Sequence, residues 1–295
     1  MIFIGEIAAL SAAMLWSVNA VVLSEAVINV GTVNVHIVRL FFASLFLLLT
    51  IFVFQLDISV HPQQIIYLIL SGVIGLAIGD YGMLKSYELM GPRLGMLMMS
   101  FVPSLSVIFA FYFLDEVLTA PQIVGIIITS IGLAIVVLQK KVLSEKFHFS
   151  LRGGVYGLLA SGGQAIGLIF AKEAFNYGEL DEFVAAFIRI FFSLILLLVI
   201  GRIWGVSKNP IRAFRNNKKG IKLIIWGALL GPYLGITSSL VAVAYTNVGI
   251  ASTIMSIVPI IMLPISKYYY HEKLSVKSIL GTVVAFLGIA VIFLI

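Results

Sequence analysis

The sequence Met99-Ser100-Phe101-Val102-Pro103 recurs as Met255-Ser256-Ile257-Val258-Pro259 in the second half of this 295-residue chain. Residues on either side of the two stretches also correspond, in the same order and at a nearly constant offset. The pairs include Arg39 with Arg189, Gly75 with Gly231, Gly79 with Gly235, Gly125 with Gly281, and Gly132 with Gly288. Chance would not preserve this order, so the chain is a tandem duplication.

Composition places both copies in a membrane. Hydrophobic residues make up 61% of the chain and charged residues 11%, against roughly 45–50% and about 25% in soluble domains. Because lipid offers backbone groups no hydrogen-bond partner, we expect an all-α membrane protein. The apolar runs predict ten transmembrane helices, at residues 4–23, 33–54, 65–88, 95–114, 121–138, 155–171, 183–203, 221–245, 250–269 and 276–295.

Five spans per copy determine how the copies relate to each other. An odd number makes the second copy enter the membrane upside down, so we predict a 5+5 inverted repeat around a central cavity. The predicted units are residues 1–139, a basic linker at 140–152, and residues 153–295. Inverted repeats of this kind are typical of secondary transporters, whose substrate site lies near the bilayer midplane.

Basic loop residues predict the orientation. The net charge is +6, and nearly all lysines and arginines outside the spans fall in alternate loops, leaving only Lys172 on the other side. By the positive-inside rule, the basic loops are cytoplasmic and both termini are extracytoplasmic. We expect a multi-pass protein of the cell (inner, cytoplasmic) membrane.

Ionisable side chains inside a membrane are candidates for function. The third span carries Asp80, Lys85 and Glu88, whose counterparts in the second copy are apolar. We predict a coupling or charge network there, with Asp80 as the carboxylate if protons drive transport; uncoupled facilitated transport is the alternative. Lys85 and Glu88 can pair at i,i+3, and they can equally extend to water from the helix end.

Polar residues in the spans form a predicted substrate site. A polar side chain in hydrocarbon either lines a cavity or bonds a neighbouring helix, and serine or threonine can also bond its own backbone. Pro103 and Pro259 are predicted gating positions, since proline permits a kink. Arg39 and Arg189, present in both copies, are predicted to have a structural role, such as anchoring a helix end to carbonyls or headgroups. The predicted cavity lining is Trp16, Asn19, Asp80, Tyr81, Gln164, Tyr233, Thr237 and Ser256.

A repeated motif links the sequence to a family. Pro103, Glu116-Val117-Leu118-Thr119, Gly125 and Gly132, echoed by Pro259, Glu272-Lys273-Leu274-Ser275, Gly281 and Gly288, resemble the EamA domain of the drug/metabolite transporter superfamily. The resemblance implies ten helices around a central cavity and transport of small metabolites, often outward. It assigns Glu116, Glu272, Arg39 and Arg189 structural roles.

The leading hypothesis is a secondary transporter of small metabolites that works by alternating access, as an exporter or exchanger. We expect a small-molecule substrate, contact with membrane lipid, no nucleic acid, no cofactor or metal, and a monomer or homodimer. The alternative is an intramembrane enzyme acting on lipid, but the sequence has no cysteine, HExxH or GxSxG and only four histidines. A seven-helix receptor is a third alternative, which the repeat opposes.

Overall fold

The computed structural model of the protein describes residues 3–137, 150–203, 218–269 and 275–294. Every regular element in these ranges is helical, which confirms the predicted all-α class. The predictions for residues 138–149, 204–217 and 270–274, including the structural role of Glu272, lie outside the described part of the chain.

The first half contains six α-helices and a π-helical segment. We call that segment, Gly72–Asp80, the first π segment; it joins α3 to α4. α4 is broken at Gly91, whose φ of 78° and ψ of 162° lie in a region that favours glycine. The helices are α1 (Ile4–Val30), α2 (Thr32–Phe54), α3 (Pro62–Ser71), α4 (Tyr81–Met99), α5 (Val102–Phe113) and α6 (Ala120–Val137).

The second half repeats this arrangement. The second π segment, Leu229–Gly235, occupies the position of the first and contains Pro232. Ser150 begins α7, because its hydroxyl accepts a hydrogen bond from the Gly153 amide at 3.0 Å. The helices are α7 (Leu151–Asn176), α8 (Glu182–Ile203), α9 (Lys218–Ala228), α10 (Ile236–Tyr245), α11 (Val248–Met255), α12 (Val258–Tyr269) and α13 (Val276–Leu294).

The two halves interlock rather than pack as separate bundles. α1 packs against α9, the second π segment and α10, whereas α7 packs against α3, the first π segment and α4. Each half therefore places its first helix against the third span of the other half. α2 packs against α8, and α6 packs along α13, so equivalent helices also meet each other.

Glycines permit the close approach of α7 to the first π segment. A Cβ atom at Gly167 would lie 2.8 Å from the Cα atom of Gly75, and one at Gly163 would lie 2.9 Å from the Cα atom of Gly79. Two glycines spaced four residues apart, as Gly75 and Gly79 are, permit this kind of close helix contact.

Seven helices of the described residues are long and apolar enough to cross a membrane. Three shorter apolar helices, Val102–Phe113, Ala120–Val136 and Ile279–Ile292, lie between or after them. The chain is therefore a multi-pass membrane protein. The division into five plus five spans stays a prediction.

Candidate functional site

A cavity of about 120 Å³ lies between the two halves of the molecule. It is large enough for several water molecules or a small solute in their place. Its wall is formed where helices depart from regular α geometry: both π segments contribute to it, and so do the junctions between α4 and α5 and between α11 and α12. Irregular backbone at membrane depth is tolerated where it lines a cavity, and discontinuous helices of this kind form the binding sites of secondary transporters.

The two helix junctions contain the repeated pentapeptides. α5 begins at Val102 and α12 at Val258, so Pro103 and Pro259 are each the second residue of a new helix. At that position the missing amide hydrogen has no helical partner to lose. The prolines therefore start helices instead of kinking continuous ones. Pro259 lines the cavity wall, and the gating role of both residues stays a prediction.

A buried ion pair lies in the cavity wall. Arg39 of α2 donates to the carboxylate of Asp80 at the end of the first π segment, and the two side chains are 2% and 7% exposed. The Nε2 atom of Gln164 donates to the other Asp80 oxygen at 2.6 Å. The Asp80 carboxylate is thus fully engaged by protein donors.

His36 supports the arginine of this pair. Its Nδ1 atom accepts from the Arg39 Nε atom at 3.2 Å, and its Nε2 atom lies 3.1 Å from the Leu76 carbonyl oxygen. This network assigns a neutral His36 with its proton on Nε2. Arg39 is therefore held between an imidazole and a carboxylate, whereas the sequence suggested contacts with carbonyls or headgroups.

Arg189 of α8 is the counterpart of Arg39, but its surroundings differ. It is 1% exposed and lines the same cavity. Its Nε and Nη1 atoms have no hydrogen-bond partner. The position equivalent to Asp80 in the second half is Ile236, an apolar residue that also lines the cavity. The second arginine therefore has no ion pair like that of the first, although the charge of Asp80 also acts on it.

Five of the eight predicted substrate residues line the cavity: Trp16, Asn19, Asp80, Gln164 and Ser256. The structure brings these together from α1, the first π segment, α7 and the end of α11. Asn19 is 5% exposed and its Oδ1 atom has no hydrogen-bond partner, so the wall also offers a neutral acceptor.

The other three predicted substrate residues lie outside this lining. Tyr81 packs against Tyr156, with ring centroids 6.1 Å apart. Tyr233 shares a hydrogen bond of 2.8 Å with Thr50. Thr237 bonds the Tyr233 carbonyl at 2.5 Å, the alternative that sequence reasoning kept open for it.

The predicted network of Asp80, Lys85 and Glu88 divides into two parts. Lys85 and Glu88 form the expected i,i+3 pair at 2.7 Å, with side chains 27% and 33% exposed, and Thr32 donates to Glu88. These residues do not line the cavity. Asp80 alone of the three belongs to the cavity wall.

Some cavity residues were missed or given another role by sequence reasoning. Tyr87, Ser239 and Ser252 line the cavity but have no charge and no repeat partner of the same type to mark them. Arg39 and Arg189 were given a structural role because they occur in both halves.

Glu116 joins the two halves at the membrane surface. It lies in the loop between α5 and α6, and its carboxylate accepts from the Val248 amide at 3.0 and 3.3 Å, at the start of α11. Lys172 approaches the same region and donates to the Val243, Ala244 and Thr246 carbonyls. This arrangement fits the structural role that the sequence predicts for Glu116.

Burial raises the pKa of Glu116, against the opposing effects of the Val248 amide and the Lys172 charge. The folded protein therefore retains a proton at pH values where the unfolded chain has lost it, and stability falls as the pH rises through this window. Glu116→Gln stays neutral and still accepts from Val248. Relative to the parent protein, its melting temperature should rise as the pH increases above the ordinary glutamate pKa of about 4.3, as measured by scanning fluorimetry. If the melting temperatures of the two proteins differ by the same amount at every pH, the prediction is wrong.

The cavity wall offers groups that can hold a solute by charge and by hydrogen bonds. It presents one engaged carboxylate, one engaged arginine, one arginine with unpartnered donors, and an amide acceptor. Within the described ranges, no three His, Cys, Asp or Glu side chains are placed to hold a metal ion.

Comparisons with known proteins agree with this architecture. The fold is similar to that of a protein whose crystal structure is known, with a TM-score of 0.78 and 14% sequence identity. The match covers 98% of this chain and 96% of that chain. No curated protein matches the sequence. The sequence profile of the EamA-like transporter family matches residues 3–138 and 151–294. The two matches together cover nearly the whole chain, which therefore belongs to the EamA-like transporter family.

Proposed function

We propose that this chain is a secondary transporter that moves small amphiphilic metabolites, amino acids among them, across the cell membrane by alternating access, as an exporter or exchanger. The observation that carries the proposal is the cavity built at four helix interruptions, with buried charged groups in its wall. Buried charges are retained in membrane proteins chiefly on solute or ion pathways.

The paired packing of the two halves supports alternating access. The first helix of each half contacts the third span of the other, so a rocking motion of one half would change the cavity opening on both faces. Under this proposal the seven long and three shorter apolar helices form ten spans in a 5+5 inverted repeat.

Exchange in proteoliposomes tests the proposal. Vesicles loaded with a mixture of unlabelled amino acids should take up radiolabelled leucine faster than protein-free vesicles and faster than vesicles with no internal amino acid. The same comparison is made with a panel of other amino acids and small carboxylates. Uptake equal to that of protein-free vesicles across the whole panel would refute transport of this class.

The proposed topology places both termini outside the cell. Because the chain has no cysteine, single cysteines report accessibility without background. Ser59→Cys, in the exposed loop after α2, should react with an impermeant thiol reagent in intact cells, and Arg152→Cys should react only after the cells are opened. The reverse result would invert the orientation.

A further inference from the structure

The cavity wall carries a net charge of one positive unit. Three of the described residues that line it are charged: Arg39, Asp80 and Arg189. Arg39 and Asp80 neutralise each other. The charge of Arg189 remains without a bonded counterion.

Arg189 is placed by backbone packing and cannot leave the site for water. It is 1% exposed, and its backbone carbonyl lies against Gly72 of the first π segment, where any side chain would collide. Its Nη2 atom would lie 3.5 Å from a Cβ atom at Gly75. Gly72 thus allows the Arg189 backbone to approach the first π segment, and the guanidinium lies within van der Waals range of Gly75.

An isolated buried charge is unfavourable unless it is paired. The Nε and Nη1 donors of Arg189 have no partner, and each can donate a charge-assisted hydrogen bond to an anion. α5 and α12 also begin at the cavity wall, at Val102 and Val258, and helix starts carry partial positive charge. The site is therefore built to receive an anion.

The other residues of the cavity wall indicate what the uncharged part of the ligand is like. Met83, Met96, Met99 and Met255 line the cavity together with Trp16, and methionine side chains adapt to varied apolar shapes. One excess charge matches a singly charged group and not a doubly charged phosphate. The unpartnered Oδ1 atom of Asn19 can accept from an N–H group.

We propose that Arg189 is the substrate-recognition residue of the cavity and that it binds the carboxylate of a small organic acid or amino acid with an apolar body. This inference rests on the proposed transport function and adds the chemical class of the substrate. The substrate must supply the carboxylate that pairs with Arg189. The Asp80 carboxylate is already bonded to Arg39 and Gln164, and no other acidic residue among the described ones lines the cavity.

The test measures binding and transport separately for three probes of similar shape: leucine, 4-methylpentanoate, which lacks the amino group, and leucinamide, which lacks the carboxylate. Binding to purified protein is followed by calorimetry, and transport by exchange in proteoliposomes. Leucine and 4-methylpentanoate should bind and leucinamide should not. Arg189→Gln should weaken carboxylate binding by roughly 10- to 100-fold, the effect of losing one charge-assisted hydrogen-bonded pair.

Two further variants keep the test informative if Arg189→Gln folds poorly. Arg202→Gln removes an exposed arginine from the same helix and should leave affinity unchanged. Ile236→Asp supplies Arg189 with the carboxylate that Asp80 supplies to Arg39, so it should abolish carboxylate binding while the protein stays folded.

The outcomes separate the two proposals. The role of Arg189 is overturned if leucinamide binds as tightly as leucine, or if the Ile236→Asp protein binds carboxylates like the parent protein. The transport proposal still stands in either case. Failure of both carboxylates to bind would also overturn the role of Arg189. Carboxylate binding that requires Arg189, without exchange of any probe, would support the site and refute the proposed transport function.

Discussion

Asp80→Asn is expected to lower the free energy of unfolding by about 3–5 kcal/mol, the effect of removing one partner of a buried ion pair. The substitution leaves Arg39 and Arg189 in the cavity wall and removes the carboxylate that pairs with Arg39. It should also abolish exchange, because the wall would then carry two uncompensated guanidinium groups. Unfolding of the purified protein by sodium dodecyl sulfate in mixed micelles measures the first effect, and proteoliposome exchange the second.

Glu88→Gln is the matched control for Asp80→Asn. It makes the same change from carboxylate to amide on the same span, at a side chain that is 33% exposed and paired with Lys85. Its effect should stay within about 1 kcal/mol, as for other exposed pairs. A double-mutant cycle of Asp80→Asn with Arg39→Gln should show a coupling energy well above 1 kcal/mol. An Asp80→Asn protein as stable as Glu88→Gln would mean that the buried pair is not ionic.

Gly167→Val should prevent formation of a stable folded protein or lower its stability by about 3 kcal/mol or more. A Cβ atom at Gly167 would already lie 2.8 Å from the Cα atom of Gly75 and 3.1 Å from the Ser71 carbonyl oxygen. Backbone atoms cannot rotate away as a side chain can, so α7 and the first π segment must separate. The yield of monodisperse protein on size exclusion and the thermal midpoint measure the effect.

Gly162→Val provides the control for this substitution. Gly162 lies on the same helix, and a Cβ atom there has no other atom within 4 Å. The variant adds the same side chain without a collision, so it should fold with the yield of the parent protein. Equal loss of folded protein in both variants would show that helix propensity, not the contact between the two halves, controls stability.

The sequence was sufficient to predict the helical class and the duplication, because lipid forces helices and because the repeated pentapeptide keeps its register. It also identified Asp80, Gln164 and Trp16, since polar groups at membrane depth are rare. The π segments were not predicted. Their glycines are compatible with an ordinary close-packed α-helix, and only the tertiary contacts with α7 and α1 distinguish the two geometries.

The partner of each arginine was also beyond sequence reasoning. Arg39 and Arg189 occupy equivalent positions, which favoured one shared structural role. The structure shows that Asp80 pairs with the first, whereas the corresponding position in the second half, Ile236, lines the cavity as an apolar residue. The sequence therefore showed that Asp80 has an apolar counterpart, but not that both arginines line one cavity.

Accessibility of a single cysteine at Ser252 tests the central claim most directly. Ser252 is 1% exposed and lines the cavity, and the chain has no other cysteine. Alternating access predicts that Ser252→Cys reacts with an impermeant thiol reagent added to either face of the membrane, and that leucine slows both reactions. Ser59→Cys, in the loop after α2, should react from one face only. Reaction of Ser252→Cys from a single face, whatever the solute present, would contradict alternating access.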